Sequence, residues 1–260
     1  MDIKVLGPLE AHDNGVSITP TASKPRQVLA LLGLHAGHVV TVPALIEELW
    51  GMAPPRSALT TLQTYVLQVR RRIEAAGADA AKDVLVTRYG GYLLEIGTGR
   101  VDVVEYERLA AQGQRALEAG ELERASRLLR SALQVWRGPV LADVRIGLRL
   151  GMEVTRLEES RLGVLEAQMD ADLRLGRHQK LLGELALLTA QHPLHENFCA
   201  QHMLALYRSG RQSRALEAYR TLHDRIVEEL GLAPSERLRR LHQAILTADP
   251  SLTPVPQLAG

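Results

Sequence analysis

Residues 58–73 read Ala-Leu-Thr-Thr-Leu-Gln-Thr-Tyr-Val-Leu-Gln-Val-Arg-Arg-Arg-Ile, and this stretch decides how the N-terminal part of the chain folds. A helical projection at about 100° per residue places its apolar side chains on one stripe. The stripe consists of Leu59, Leu62, Val66, Val69 and Ile73. Polar side chains occupy the opposite side and its flanks: Thr60, Thr64, Gln68 and Arg71 lie opposite, and Thr61, Arg70 and Arg72 lie beside them.

The predicted helix also lacks negative charge. From Arg56 to Ile73 there are four basic residues and no acidic residue, whereas from Val101 onward 21 basic and 21 acidic residues are interspersed. Arg can bond a guanine edge twice, Gln can do so with adenine, and Thr can contact a thymine methyl group or a phosphate. Flanking arginines would neutralise phosphates and fix the register. The helix therefore predicts a DNA-reading surface; the alternative is a solvated basic helix in a structural domain.

The segments around this helix predict a winged helix-turn-helix over residues 1–97. Residues 3–9 and the Asn14-Gly15 step indicate an N-terminal hairpin, because both turn positions tolerate positive φ. Ser23 predicts a helix cap, with Pro25 in the first turn. A short second helix is expected over 43–50, before the long one. Residues 84–96 form a second hairpin with Arg88 at its tip, the place from which a wing enters the minor groove.

From Asp102 onward the sequence is wholly helical, with apolar residues at three- and four-residue spacing. The predicted helices span 102–119, 121–137, 152–175, 177–191, 194–209, 211–230 and 235–247. Leu175-Gly176-Arg177 and Ser209-Gly210-Arg211 lie 34 residues apart, the tetratricopeptide period. We therefore expect an all-α repeat domain over 102–248 and a disordered tail over 249–260. The fold class is mainly α with small β-hairpins.

Composition agrees with a soluble intracellular protein. The 260 residues exceed what one core needs, and aromatic residues make up only 3%. A single cysteine, Cys199, cannot form an intramolecular disulfide and fits a reducing compartment. Neither a signal peptide nor a membrane-length apolar run is visible. We expect a cytoplasmic protein that associates with the nucleoid when bound to DNA.

Several spaced motifs occur together in the N-terminal half, at residues 24–32, 49–51, 58–66, 69–73 and 88–92. In this order they resemble motifs of the Streptomyces antibiotic regulatory proteins. In the second half the motifs resemble that family's bacterial transcriptional activation domain, and they are residues 132–138, 141–143 and 228–234. The resemblance covers roughly residues 2–248. Leu67 and Gln68 stand where some winged-helix relatives carry Arg, so the base preferences of those relatives do not transfer.

The resemblance implies an OmpR-type winged helix and activation of an antibiotic or other secondary-metabolite gene cluster. Members of this family bind direct heptamer repeats near a promoter −35 element and recruit RNA polymerase. The implied partners are double-stranded DNA, the polymerase holoenzyme and further copies of the chain, which would associate on DNA through the helical domain. The DNA-contacting residues we expect are Arg56, Thr60, Thr61, Thr64, Gln68, Arg70, Arg71, Arg72 and Arg88.

Other chemistry-bearing residues leave alternatives open. Lys24 and Arg26, at a helix N-terminus, could hold a phosphate or be solvated. Trp50 is expected in the core, although it could abut a phosphate. The cluster of His192, His195 and Glu196 is too small for the usual metal site, and Cys199 predicts a buried thiol.

Enzymes and adaptors are the rival classes of function. The sequence shows no catalytic constellation, cofactor motif or metal-ligand set, so an enzyme is not expected. A helical-repeat adaptor is the remaining rival, and the acid-free helix with its Arg-tipped wing argues against it.

Overall fold

The computed structural model describes residues 1–77 and 81–252, and it confirms the predicted fold class. Among these residues the strands are β1 (Asp2–Lys4), β2 (Glu10–Asp13), β3 (Val16–Ser17), β4 (Val39–Thr41), β5 (Leu85–Arg88), β6 (Gly91–Leu94) and β7 (Arg100–Val101). The helices are α1 (Ser23–Leu34), α2 (Val42–Trp50), α3 (Ala58–Ala75), α4 (Ala81–Val84), α5 (Asp102–Glu118), α6 (Leu122–Gln134), α7 (Leu148–Arg174), α8 (His178–Gln191), α9 (Glu196–Arg208), α10 (Gln212–Leu230) and α11 (Glu236–Leu246).

Internal contacts divide the chain into two compact units. The first unit comprises Met1–Ala111 and Ser131–Leu162, and the second comprises Gln112–Arg130 and the chain from Gly163 onward. Helices α5, α6 and α7 therefore contribute residues to both units. Residues 131–162, which the sequence assigns to the helical domain, pack with the winged helix in the first unit. The functional division at residues 97–102 stays a prediction.

Two small sheets frame the winged helix. One has the strand order β3-β2-β1-β7, with β1 antiparallel to β2 and parallel to β7; the other has the order β4-β6-β5. The predicted Asn14-Gly15 turn is confirmed, since both residues have positive φ between β2 and β3. The expectation of one strand over residues 3–9 is wrong. Strand pairing stops at Lys4, because the amides of Val5 and Leu6 donate to the Asp102 carboxylate instead, and Pro8 further along has no N–H to give to a ladder.

Helices α1, α2 and α3 enclose the winged-helix core. On α3, Leu62, Val66, Val69 and Ile73 are at most 1% exposed. For the remaining member of the stripe, Leu59, the prediction of a buried position is wrong. Leu59 is 50% exposed, because it lies at the edge of the stripe in the first helical turn. Ser23 is also not the cap of α1, which follows Ala22 without a side-chain cap. Thr41 does cap α2, by accepting from the Ala44 amide at 3.3 Å.

A buried carboxylate joins α2 to the start of α7 within the first unit. Glu48 is 3% exposed, and its carboxylate accepts hydrogen bonds from the amides of Gly147 (2.7 Å) and Leu150 (2.9 Å). A Cβ atom at residue 147 would lie 2.2 Å from the Glu48 carbonyl oxygen, so glycine alone permits this approach. The amides at a helix start have no intrahelical acceptor, and a negative charge there is favourable.

The second unit is helical throughout its described part. Helix α9 packs between α8 and α10, and the predicted 34-residue repeat falls on two equivalent turns, where Gly176 and Gly210 both have φ of +74°. The hydrophobic core of the second unit includes Met203, Ala215 and Tyr219.

Asp172, which is fully buried in the second unit, anchors a polar cluster. Burial raises the pKa of its carboxyl, but hydrogen bonds from Ser126, Arg177 and Gln168 outweigh burial and lower the pKa overall. The carboxylate is therefore stabilised in its charged form, as a buried charge requires.

The end of the described chain is anchored. Residues Pro250–Leu252 form a short 3₁₀ turn, and the Leu252 carbonyl accepts a hydrogen bond from Arg208 Nε at 2.8 Å. Residues 253–260 of the predicted disordered tail lie outside the described residues. In the described ranges, every helix is too short or too polar to cross a lipid bilayer.

The Glu48 contacts lead to a prediction about stability. Glu48→Gln replaces an acceptor oxygen by an amide donor that faces backbone N–H groups, so we expect the free energy of unfolding to fall by about 2 kcal/mol. Urea denaturation monitored by circular dichroism measures this loss. The control is Glu47→Gln, which removes a partly exposed ion pair with Arg149 and should change stability by about 0.5 kcal/mol or less. Equal losses in the two variants would contradict the role given to Glu48.

Candidate DNA-binding surface

The outer face of α3 is polar, exposed and free of carboxylates up to Glu74. Its solvent-facing residues are Leu59, Thr60, Gln63, Thr64, Leu67, Gln68 and Arg71. Burial of the opposite stripe fixes this orientation, because α3 can turn only one side to the core. The structure thus places the predicted residues Thr60, Thr64, Gln68 and Arg71 together on one accessible face. Thr61 is half-buried beside them, and its hydroxyl lies 3.4 Å from Ser57 Oγ.

The predicted arginines differ in what they contact. Arg56, Arg71 and Arg88 are exposed, and their guanidinium groups make no hydrogen bond or ion pair within residues 1–77 and 81–252. Uncompensated guanidinium groups on an exposed surface are suited to phosphate or guanine. Arg72 makes one contact, a 3.4 Å hydrogen bond to Thr21 Oγ1 on the flank of α3.

Arg70 holds the wing against α3. Its Nε and Nη2 atoms donate to the Leu85 carbonyl at 3.0 and 2.6 Å, and Nη2 also donates to Thr87 Oγ1 at 2.8 Å. Both partners belong to β5. The sequence predicted a DNA contact for Arg70, whereas the structure commits most of its donors to this intramolecular contact.

The wing is the two-stranded ribbon of β5 and β6, with register Arg88↔Gly91. Tyr89 and Gly90 form its tip, and the Tyr89 side chain is fully exposed. Gly91 faces β4, where a Cβ atom would lie 2.4 Å from the Val40 carbonyl oxygen. This close contact packs the ribbon against the edge strand β4, and Arg88 and Tyr89 remain exposed at the far end of the ribbon.

Residues at the start of α1 do not form an anion site. Lys24 Nζ donates to the Leu49 carbonyl and lies 5.6 Å from the centre of the Trp50 ring. Burial and the nearby Arg145 lower the pKa of Lys24. Arg26 donates to the carbonyls of Pro20 and Leu9 and pairs with Asp143. Both alternatives considered for Lys24 and Arg26, a phosphate contact and simple solvation, are therefore replaced by intramolecular contacts.

Trp50 and Trp136 are packing residues. Trp50 is half-buried and stacks on Tyr65, with ring centres 6.3 Å apart. Trp136 is 8% exposed and meets Tyr106 edge-on. Trp136 lies in the first unit, although the sequence placed it in the helical domain.

Sequence reasoning missed some members of the surface. Gln63, Leu67 and Tyr89 are exposed beside the predicted contacts, and Leu67 offers an apolar group of the kind that meets a thymine methyl. The helical projection could have identified Gln63 and Leu67, because both lie on the side away from Leu62. The exposure of Tyr89 depends on the wing's geometry and had no sequence signal.

A helix-turn-helix whose exposed helix face carries no carboxylate before Glu74, beside a wing with the exposed Arg88 next to its tip, defines a winged-helix DNA-binding regulator. Residues 15–94 match the family model described as "Transcriptional regulatory protein, C terminal", and residues 101–246 match "Bacterial transcriptional activator domain". The chain belongs to the latter family and combines both domains in the manner of the Streptomyces antibiotic regulatory proteins.

Proteins with similar sequences are also named as regulators. Regulatory protein DnrI of Streptomyces peucetius is 62% identical over 256 residues, covering 97% of this chain and 94% of DnrI. Transcriptional regulator RedD of Streptomyces coelicolor is 39% identical, covering 97% and 72% of the two chains. The structure of Mycobacterium tuberculosis EmbR, in complex with a low-affinity phosphopeptide, superposes with a TM-score of 0.89 at 35% identity, covering 98% of this chain and 66% of that one. The protein is thus a DNA-binding transcriptional regulator.

The exposed face of α3 generates a prediction about base reading. Arg71→Ala and Gln68→Ala should each lose about 1–3 kcal/mol of specific DNA binding without loss of stability, because neither side chain has an intramolecular partner. Arg70→Ala should instead lower the free energy of unfolding, by about 1–2 kcal/mol, since it releases β5. Binding titrations at fixed salt and urea denaturation of the three variants separate these roles. If Arg71→Ala or Gln68→Ala binds its operator like the wild type, that side chain does not read a base.

The wing generates a prediction about salt dependence. Arg88→Ala should weaken binding to operator and non-operator DNA alike and reduce the slope of log K against log salt by about one, as expected for one lost phosphate or minor-groove contact. Lys82→Ala, which removes an exposed cation outside the wing ribbon, is the control. A slope that Arg88→Ala leaves unchanged would exclude the wing from the interface.

Proposed function

We propose that the protein activates an antibiotic or other secondary-metabolite gene cluster by binding direct heptamer repeats near the promoter −35 element and recruiting RNA polymerase holoenzyme. The observation that carries this proposal is the exposed, acid-free face of α3 beside the Arg-tipped wing. The relation to DnrI and RedD supports it. In this function the chain has no catalytic role, and binding to DNA places it on the bacterial nucleoid.

The proposal assigns DNA binding to residues 1–97 and activation to residues 102–248. Contacts within the first unit support a tight mechanical connection between these segments. Asp102 accepts hydrogen bonds from the amides of Val5 (2.9 Å) and Leu6 (3.0 Å), and Asp143 accepts one from Leu9 (2.8 Å). A fragment ending at residue 97 would lose both carboxylates and the partners of Glu48. Tests of DNA binding therefore require the full chain.

Direct repeats place successive protomers head to tail, so any contact between neighbours joins two different surfaces. A candidate for one of these surfaces is the C-terminal end of α10. Val227, Leu230 and Leu232 are 47%, 53% and 61% exposed there, next to Glu228 and Glu229. Apolar side chains in an acidic surrounding are suited to a protein partner, and we propose that this surface supports self-association on DNA.

Cooperative binding tests this function. The full chain should bind two repeats in helical phase at least about tenfold more tightly than one repeat, because the second binding event is effectively intramolecular. Inserting half a helical turn between the repeats should remove the gain, and Leu230→Ser should reduce it. The control Leu187→Ser changes an equally exposed leucine on α8.

Each outcome of this experiment bears on one part of the proposal. A gain that survives the half-turn insertion would contradict contact between neighbouring protomers. Equal binding to repeats and to scrambled DNA would contradict repeat recognition. Transcription reconstituted with purified holoenzyme tests recruitment, and a rate that the protein leaves unchanged would contradict it.

A further inference from the structure

A cavity of 460 Å³ opens between α8, α9 and α10, wholly within the second unit. It lies far along the chain from the DNA-reading residues, and the function proposed above does not use it. Its volume falls within the range of about 300–1,000 Å³ that is common for small-molecule sites.

The floor of the cavity is apolar. Leu182, Leu206 and Leu222 line it, and the small side chains of Ala186 and Ala218 leave the space open. Cys199 also lines it, and burial raises the pKa of its thiol to about 12. Its Sγ atom donates to the Ala218 carbonyl at 3.6 Å. The cysteine is therefore an apolar wall residue rather than a nucleophile.

Positive charge surrounds this floor. Arg211, Arg214 and Arg225 line the cavity, and their side chains make no hydrogen bond or ion pair with any part of the chain that the structure describes. Glu217 is the one carboxylate among the lining residues. Some other arginines of the same unit are engaged: Arg177 pairs with Asp172, and Arg208 donates to two backbone carbonyls.

The helical register of α10 points these groups into the cavity together. Arg214, Ala218, Thr221 and Arg225 follow one another at intervals of four, three and four residues, so they share one face. His202 meets that face from α9. Burial and the charge of Arg214 both lower the pKa of His202.

We propose that this cavity binds an amphipathic organic anion with a flat apolar body. The body lies on the leucines and alanines, and a carboxylate, sulfonate or phosphate group lies between Arg214 and Arg225, with Arg211 at the mouth. Arginine forks suit such planar or tetrahedral oxyanions. A nucleic acid fits less well, because no Trp, Tyr or Phe lines the cavity, and histidine is the only aromatic residue type there on which a base could stack.

The probe 1-anilinonaphthalene-8-sulfonate tests the site, because it is an aromatic anion of this kind. Fluorescence titration of the full chain should saturate at one probe per chain. Arg214→Gln and Arg225→Gln should each weaken binding about 5- to 20-fold, the loss of a charge-assisted hydrogen bond. Arg220→Gln, an exposed arginine on the opposite face of α10, should change binding less than about twofold.

Two further measurements separate the apolar and ionic parts. N-phenyl-1-naphthylamine has the same aromatic body without the sulfonate, so its binding should not depend on the arginines. Ala218→Phe fills the cavity and should abolish binding of both probes. Ala186→Phe, which fills it from the exposed side of α8, serves if Ala218→Phe disturbs the helical circular dichroism.

Three results would overturn the proposal. They are unsaturable binding of the sulfonate, equal affinity in Arg214→Gln, Arg225→Gln and Arg220→Gln, and displacement of the probe by duplex DNA from the wild type but not from Arg214→Gln. The third would make the arginines a nucleic-acid surface. Gel shifts with the same variants report DNA binding by α3 separately, so failure of this site and failure of the proposed function are distinguishable.

Discussion

In the first unit, three carboxylates accept hydrogen bonds from backbone N–H groups that have no acceptor within a strand or helix. Asp102 serves Val5 and Leu6, Asp143 serves Leu9, and Glu48 serves Gly147 and Leu150. Buried amides without acceptors are costly, so these bonds decide where the chain can leave regular structure. Burial raises the pKa of the Asp102 carboxyl. Its backbone hydrogen bonds and the charge of Arg137 lower the pKa, but they do not cancel the effect of burial. The arrangement fixes the segment after β1 and the start of α7 against the winged helix.

The candidate DNA-binding surface depends on this frame. Helix α2 carries Glu48 on one side and packs against α3 on the other, so α3 is held from behind while its polar face remains accessible. Arg70 then ties the wing to α3 through the Leu85 carbonyl. A reading helix and a wing with a fixed separation can contact adjacent grooves of one duplex without first being ordered, which limits the entropy lost on binding.

The second unit uses its charges differently. Asp172 gathers Ser126, Gln168 and Arg177 into a satisfied buried cluster that stabilises the helices. The arginines around the α8–α10 cavity have no such partner among residues 1–77 and 81–252, although they belong to the same unit. Charge that the fold leaves uncompensated is available for a ligand where it also lines a cavity, as Arg211, Arg214 and Arg225 do.

Local sequence patterns were enough to predict the fold class, the helix spacing of the C-terminal half and the side of α3 that faces outward. These follow from local periodicity and turn chemistry: apolar residues every three or four positions, Asn14-Gly15, and glycines 34 residues apart. Tertiary structure alone decided that Arg70 serves the wing, that Lys24 and Arg26 are engaged internally, and that residues 131–162 pack with the winged helix. A side chain's partner depends on groups distant in sequence, such as Asp143 for Arg26. Helical periodicity encodes which face is buried, but it carries no information about what that face meets.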